Sequence, residues 1–342
     1  MKNMKRIAAL VLALAMVFVL AACAKTKPAE DTAATTATTA AATTAPASTI
    51  SSTILMEEDD SMRNDYSLIA VNPGAPFVDA NGTAVSDVKI NMVGADALIH
   101  WILSSEGKGY IAEYGKEEFG TALFTLDPNA PVESQTSTIP QATDETKTIR
   151  LSTTTSVNDS GLLGYLLPKF EQKYGYTVEV ASAGTGKAIE AAQMGNADLI
   201  LVHAKAKEED FINAGFARTV WHYAAPRLTF MYNYFVLIGP ASDPAGVKNA
   251  ATVLDAFKAI ADTKSTFISR GDGSGTHTKE LSLWPAELGI TEEATSFQNY
   301  PWYVSSNASM GAVLTMAEQQ NAYTLSDKAT FLTFQNNNGV IE

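Results

Sequence analysis

The chain has 342 residues, of which 37 are acidic and 24 basic, for a formal charge of −13. This balance argues against a nucleic-acid partner, whose phosphates call for a basic face. It also means that a bound anion must be held locally, by backbone N–H groups, hydroxyls and a placed cation, because net charge does not attract it.

Lys2, Lys5 and Arg6 open the chain and precede an apolar run, Ile7 to Leu20, that ends at Leu20-Ala21-Ala22-Cys23. A basic start, a short apolar centre and small residues before a cut describe a secretory signal over residues 1–22. The run is short for a membrane span, which takes about 20 residues. Cys23 is the single cysteine, so no internal disulfide forms, and its position resembles the lipid-modified cysteine of bacterial lipoproteins. Acyl chains there would anchor the protein to the outside of the cell membrane without a spanning helix. Residues 23–53, mostly Ala, Thr, Ser and Pro, read as a disordered tether.

A folded segment follows over residues 54–130. Ser67 to Asn72 (SLIAVN) reads as a buried strand, Asn81-Gly82 as a turn between two short extended runs, and Val93 to Gly115 as one helix. Residues 131–147 are polar and read as an internal linker. The main body then alternates. Ile149–Thr154 is a strand, and Asp159-Ser160 is placed to cap a helix that carries Leu162, Leu166 and Phe170 and stops at Gly175, with Pro168 inside it. Next come a strand over 176–181, a helix over 186–194 and a strand over 199–202. The second cycle has strand 235–239, helix 253–262, strand 267–269, a helix bearing Leu281, Trp284 and Leu288, helix 309–319 and strand 323–326. Such alternation describes parallel sheets covered by helices.

Ligands of open parallel sheets lie beyond the C-terminal strand ends, where helix N-termini point. Three strand ends here run into hydroxyl- and glycine-rich turns: Ser152 to Ser156, Ser182 to Lys187, and Ser269 to His277. The third adds Arg270, whose charge is permanent. Together they describe a donor shell for an oxyanion. Enzyme signatures fail: Gly184-Thr185-Gly186-Lys187 lacks the earlier glycine and the following Ser/Thr of a P-loop, and no G-x-S-x-G elbow is present. The four histidines have no metal-ligand spacing. His203 reads as a structural hydrogen-bonding residue, His277 as part of a helix start, and Asp272 as a cap or a partner for Arg270.

The stretches STTTSVNDSGLLGYLLPKFE, SAGTGKA, ADLILVHA, YNYFVLIGP and SRGDGSGTHTKELSLW resemble the tungstate-binding components of bacterial ABC importers. That resemblance implies a type II periplasmic-binding-protein fold: two α/β lobes on a two-strand hinge, closing over the ligand. It also implies a non-enzymatic receptor working with an importer permease and needing no cofactor or metal. Its ligand contacts map onto Thr154, Thr155 and Ser156 in one lobe and Arg270, Ser274, Gly275 and Thr276 in the other, with Thr185 secondary. The segment order departs from the family. MRNDYSLIAVNP, ALIHWILSSEGKGYIAEYGKEEFG and ALFTLDP resemble the family's C-terminal end yet precede the main body, which implies a circular permutation. On that reading residues 54–130 complete lobe 2, the hinge and a helix on lobe 1. Residues 148–234 form lobe 1, 235–342 supply a hinge strand and lobe 2, and SLIAVN runs beside FVLIG. A monomer is expected. Molybdate and phosphate are rival ligands; a protonated phosphate needs an acceptor, for which Asp272 is the candidate. An extracellular hydrolase or an adhesion lipoprotein displaying Arg270-Gly271-Asp272 are the readings from other classes.

Overall fold

A computed structural model describes residues 50–133 and 138–340. The signal segment, Cys23 and the tether as far as residue 49 lie outside the described residues. The chain enters through β1 (Ser52–Met56), which begins inside the stretch read as tether, and a 3-10 turn at Asp60–Met62 leads to β2 (Arg63–Val71). Next are α1 (Met92–Leu103), α2 (Ser105–Glu113), α3 (Lys116–Phe119) and β3 (Thr125–Leu126). The single helix expected over 93–115 is broken at Ser104. That residue is extended, and its hydroxyl accepts from the Gly107 N–H at 3.2 Å to cap α2. Gly107 is needed there, because a Cβ would lie 2.2 Å from the Trp101 carbonyl oxygen.

The first lobe continues with β4 (Thr148–Thr154), α4 (Thr155–Asp159), α5 (Leu162–Tyr174), β5 (Thr177–Ala183), α6 (Thr185–Gln193), β6 (Leu199–Val202), α7 (Lys205–Asn213) and β7 (Ala217–Arg218). Asp159 closes α4 instead of capping α5. The break comes from Gly161, which takes φ +78° and leaves α5 to start at Leu162. β8 (Leu228–Pro240) leads to the second lobe, with α8 (Val253–Thr263), β9 (Phe267–Ser269), α9 (Gly275–Leu281), β10 (Tyr303–Ser305), α10 (Met310–Gln320), β11 (Thr324–Asp327) and α11 (Lys328–Asn336). α9 is shorter than expected: Pro285 has no N–H to continue a helix, and Trp284 and Leu288 fall in the turns beyond it.

In lobe 1 the strand order is β5-β4-β6-β2, with β8 on the far side of β2; β4 is parallel to β5 and β6, and β2 is antiparallel to its neighbours. In lobe 2, β8 lies between β1 and β11, and the parallel pair β9–β10 joins through a bridge between Phe267 and Tyr323. β8 therefore serves both sheets. Residues 228–234 pair with β2 and residues 235–240 with β1 and β11. β1 followed by β2 is the second crossing between the lobes. The partners of FVLIG are accordingly β1, with Ile54 opposite Ile238, and β11, with Asp327 opposite Phe235, whereas SLIAVN sits deeper in lobe 1 with Ser67 opposite Val202. This corrects the expected pairing. A continuous apolar run, buried on both faces, belongs in the centre of a covered sheet.

Both sheets are covered on both sides. Leu98, Trp101, Leu166 and Phe170 from α1 and α5 pack on one face of lobe 1, and Ile189 and Phe211 from α6 and α7 on the other. In lobe 2, Phe257 and Trp284 cover one face, and Met310, Leu314, Phe331 and Phe334 the other. Both sheets leave the C-terminal ends of β4 and β9 facing the cleft.

Candidate functional site

β4 ends at Thr154, and the chain turns at once into α4. The Thr154 Oγ1 lies 3.1 Å from Ser156 Oγ, which is 3.1 Å from His203 Nε2 at the end of β6. The second ring nitrogen of His203 lies 2.6 Å from Asn64 Oδ1. Asn64 Nδ2 faces three acceptors, Tyr66 Oη, Asn233 Oδ1 and Asp327 Oδ2, so its Oδ1 is the atom turned to the ring. His203 Nδ1 therefore carries the proton. Burial and the nearby Arg270 push the His203 pKa down to about 3, which keeps the ring neutral and Nε2 an acceptor. Ser156 must donate its hydroxyl proton to His203. What Ser156 can still give an anion is its backbone N–H.

From the other lobe, Arg270 follows β9 and is 3% exposed. It donates from Nε to the Ala308 carbonyl (3.2 Å), from Nη2 to Asp272 Oδ2 (2.5 Å) and, across the cleft, from Nη1 to Thr155 Oγ1 (3.3 Å). Two of the five guanidinium N–H groups remain for a further acceptor. Asp272 also accepts from the Ser274 N–H (3.1 Å), so both of its oxygens are engaged within lobe 2. Ser274 caps α9 by accepting from the His277 N–H. Gly275 lies against His203: a Cβ would come within 2.7 Å of the ring. Lys207 of α7 reaches across to the Gly273 carbonyl at 2.7 Å. The lobes thus meet along Thr155, His203 and Lys207 on one side and Arg270, Gly273 and Gly275 on the other.

Two hydroxyls in this seam stand out. Thr185, at the start of α6, is 0% exposed and Thr276, in α9, is 2% exposed, and neither side-chain oxygen has a protein partner among the described residues. A buried hydroxyl without a partner costs about 1–3 kcal/mol, so two of them at one junction point to an acceptor supplied from outside the chain. Gly184, which precedes Thr185, approaches Ser274 closely, with a Cβ there only 3.4 Å from the Ser274 Cβ. Of the eight residues singled out in the sequence, Thr154 contacts Ser156, Thr155 contacts Arg270 across the seam, Gly275 lies against His203, Ser274 caps α9, and Thr185 and Thr276 lie buried at the starts of α6 and α9. The cluster can donate several neutral hydrogen bonds and one charged pair; its one hydroxyl–imidazole pair, Ser156 with His203, has a ring whose pKa of about 3 makes it a weak base. Among the described residues, no group of His, Cys, Asp or Glu is arranged to hold a metal ion, and no helix is long and apolar enough to cross a membrane.

Sequence reasoning missed Lys207, because α7 carries little apolar periodicity, and Asp159, which was read as a cap. Asp159 lines a cavity of about 420 Å³ with Thr155 and Ser309, where burial raises its pKa to about 6. It missed also the network that joins Asn64, Tyr66 and Asn233 of the hinge strands to the buried Asp327; nothing in the local pattern marks residues that meet only through a strand crossing. Behind α9, Glu280 accepts from Ser269 Oγ, Trp284 Nε1 (2.7 Å) and Tyr303 Oη (2.9 Å), and burial pushes its pKa up to about 7. A carboxyl with a raised folded pKa holds its proton more tightly when folded. Its ionisation costs stability above pH 7, and this cost fades as pH falls toward 4.5. The stability of the native chain relative to Glu280→Gln is therefore expected to rise by about 2–3 kcal/mol between pH 8 and pH 5. Denaturant titrations of both proteins at the two pH values check this; a pH-independent difference contradicts it.

Residues 139–341, more than half of the chain, match the family described as a PBP superfamily domain. The chain is 45% identical over 192 residues to a putative ABC transporter anion-binding protein of Haloferax volcanii, an alignment covering 56% of this chain and 52% of that one. It is 46% identical over 189 residues to the tungstate-binding protein TupA of Peptoclostridium acidaminophilum, covering 55% and 61%. A solved structure described as the tungstate ABC transporter from Geobacter sulfurreducens matches with 42% identity and a TM-score of 0.48, covering 57% of this chain and 79% of that one. The chain thus spans less than two thirds of the length of the curated relatives it matches. On the family match, and with a fold of two covered α/β sheets joined by crossing strands, the chain belongs to the PBP superfamily.

Proposed function

We propose that the chain is the extracytoplasmic solute-binding component of an ABC importer, that it captures tungstate between its lobes, and that it catalyses no reaction. The observation that carries the reading is the set of buried donors on the elements that meet between the lobes: the unpartnered hydroxyls of Thr185 and Thr276 and the unused guanidinium N–H groups of Arg270. A fully deprotonated dianion needs donors alone. Molybdate has the same needs and remains within this reading. The named relatives that bind tungstate or anions support it. In the same proposal residues 54–127 complete the binding unit in permuted order, the permease is the partner, and Cys23 carries the membrane anchor.

Phosphate is the second reading. At neutral pH it carries a proton and needs an acceptor, and both oxygens of Asp272, the residue singled out for that role, are engaged. Asp159, which shares a cavity with Thr155, is the carboxylate that could take its place. A ligand that binds only the folded state at 100 times its dissociation constant adds about 2.7 kcal/mol of stability. Saturating tungstate is expected to raise the melting temperature clearly, and phosphate at the same concentration much less. A shift with phosphate and none with tungstate transfers the assignment to phosphate.

A further inference from the structure

Bordering the oxyanion seam, with His203 and Gly275 in its wall, lies a second cavity of about 310 Å³. Five basic side chains line it, Arg63, Lys205, Lys207, Arg227 and Lys279, against one acid, Asp65. In a chain of charge −13 this is a local reversal of sign. Three of the cations are paired: Arg227 with Glu208 at 2.6 Å, Lys205 with Glu209 at 3.8 Å, and Arg63 with Asp65 and Asp127 at 2.7 and 2.6 Å. Lys207 and Lys279 are not. They donate to the carbonyls of Gly273 and Ser61, both at 2.7 Å, and among the described residues neither forms an ion pair.

These two ammonium groups belong to opposite lobes, one on α7 and the other on α9, so closure of the cleft brings like charges to one chamber. Their repulsion is relieved by an anion placed between them. Two further features bear on the polarity of the chamber. Ala204 to Lys207 line the cavity, and the start of α7 there is met by the Glu208 carboxylate, which accepts from the Ala204 N–H at 2.6 Å and is itself paired with Arg227, so the chamber's unpaired charge is that of the two lysines. Thr278, on the same wall, keeps a buried hydroxyl with no protein partner among the described residues.

The volume lies in the range of small-molecule sites, about 300–1,000 Å³, and equals roughly ten waters at about 30 Å³ each. A single tetrahedral oxyanion does not fill it. Ala204, Ala206 and Phe235 in the wall suit a carbon skeleton. We propose that this cavity is a second ligand site, which takes a small organic polyanion bearing two or more carboxylates on a short chain, held between Lys207 and Lys279 and thereby bridging the lobes.

The probe is propane-1,2,3-tricarboxylate, which lacks the hydroxyl with which citrate chelates tungstate. It is titrated calorimetrically into the full chain with and without saturating tungstate. One tricarboxylate per chain is expected to bind in both cases. Lys279→Gln is expected to weaken it about tenfold or more, since a charged hydrogen bond is lost, whereas Lys279→Arg retains most of the affinity. Tungstate affinity in Lys279→Gln is expected to stay within about twofold of native, as for independent sites. The proposal is overturned if the tricarboxylate does not bind, if tungstate displaces it competitively, or if Lys279→Gln binds it like the native chain. A chain that ignores tungstate yet binds tricarboxylate in a Lys279-dependent way refutes the tungstate reading and leaves this site standing.

Discussion

Arg270→Ala is expected to weaken oxyanion capture by one to two decades, Arg270→Lys by less, and Thr185→Ala least of the three. Arg270 is buried, and its guanidinium is fixed by Ala308, Asp272 and Thr155, so its two free N–H groups are aimed before the ligand arrives. A charged hydrogen bond contributes about 1.5–3 kcal/mol, and a planar fork can give two parallel bonds to one oxyanion. Lysine keeps the charge but loses the fork and the contact to Asp272. Alanine does more: it leaves the Asp272 carboxylate in a nearly buried turn without its cation. Thr185 contributes one neutral hydroxyl, about 0.5–1.5 kcal/mol. Calorimetry on the three variants, with circular dichroism to confirm the fold, gives the order. Native affinity in Arg270→Ala removes this residue from the site.

The sequence carried the alternation of strands and helices where elements are short and apolar on one face. β6 and β9 fall where their runs of Leu, Ile, Val and Phe place them, and α8 and α10 start and stop within a residue or two of the expected ends. It was less informative wherever a boundary depends on contacts distant in sequence. β8 is thirteen residues long and was recognised only over its apolar half, because its first half alternates polar and apolar residues across a hinge. The first two residues of β1, Ser52 and Thr53, looked like tether, since they become strand only by pairing with Pro240 and Gly239. The turns at Thr154, Thr185 and Arg270 were visible because strand ends and glycine-rich helix starts are local features. The proton on Ser156 was not. Its direction follows from His203, Asn64 and Asp327, three residues separated by more than a hundred positions and joined only at the crossing.

Removal of residues 54–127 is expected to leave an insoluble or ligand-blind protein. β2 occupies the position between β6 and β8, and Leu68, Ile69, Ala70 and Val71 are fully buried there. Tyr66, Leu68, Leu98, Trp101, Ile102 and Phe124 all belong to the core that α5 and β4 share. At about 1.5–3 kcal/mol for each large buried side chain, these six contribute roughly 9–18 kcal/mol. A domain's entire net stability is about 5–15 kcal/mol. The deletion also takes away Asn64 and Tyr66, two of the donors that hold the buried Asp327 carboxylate. Reordering the same residues should be tolerated. Gln335 Nε2 donates to the Ser52 carbonyl at 3.1 Å, and a Cβ on Gly339 would lie 3.1 Å from the Ile50 side chain, so the end of α11 runs beside the start of β1. A chain that begins at Lys147, joins Glu342 to Ile54 and ends near Asp127 loses Ser52 and Thr53 from the start of β1, keeps Ile54 to Met56, β2 and the buried faces of α1 and α2, and otherwise changes mainly loop closure, whose entropy grows slowly with length. It is expected to fold and bind like the original, as read by melting curves and calorimetry. If the deleted chain instead unfolds cooperatively and binds the oxyanion normally, residues 54–127 are a separate domain and the permuted topology is wrong. The hinge argues against that outcome: without β2, residues 228–234 of β8 lose the strand that joins them to β6, and the two lobes lose one of their two connections.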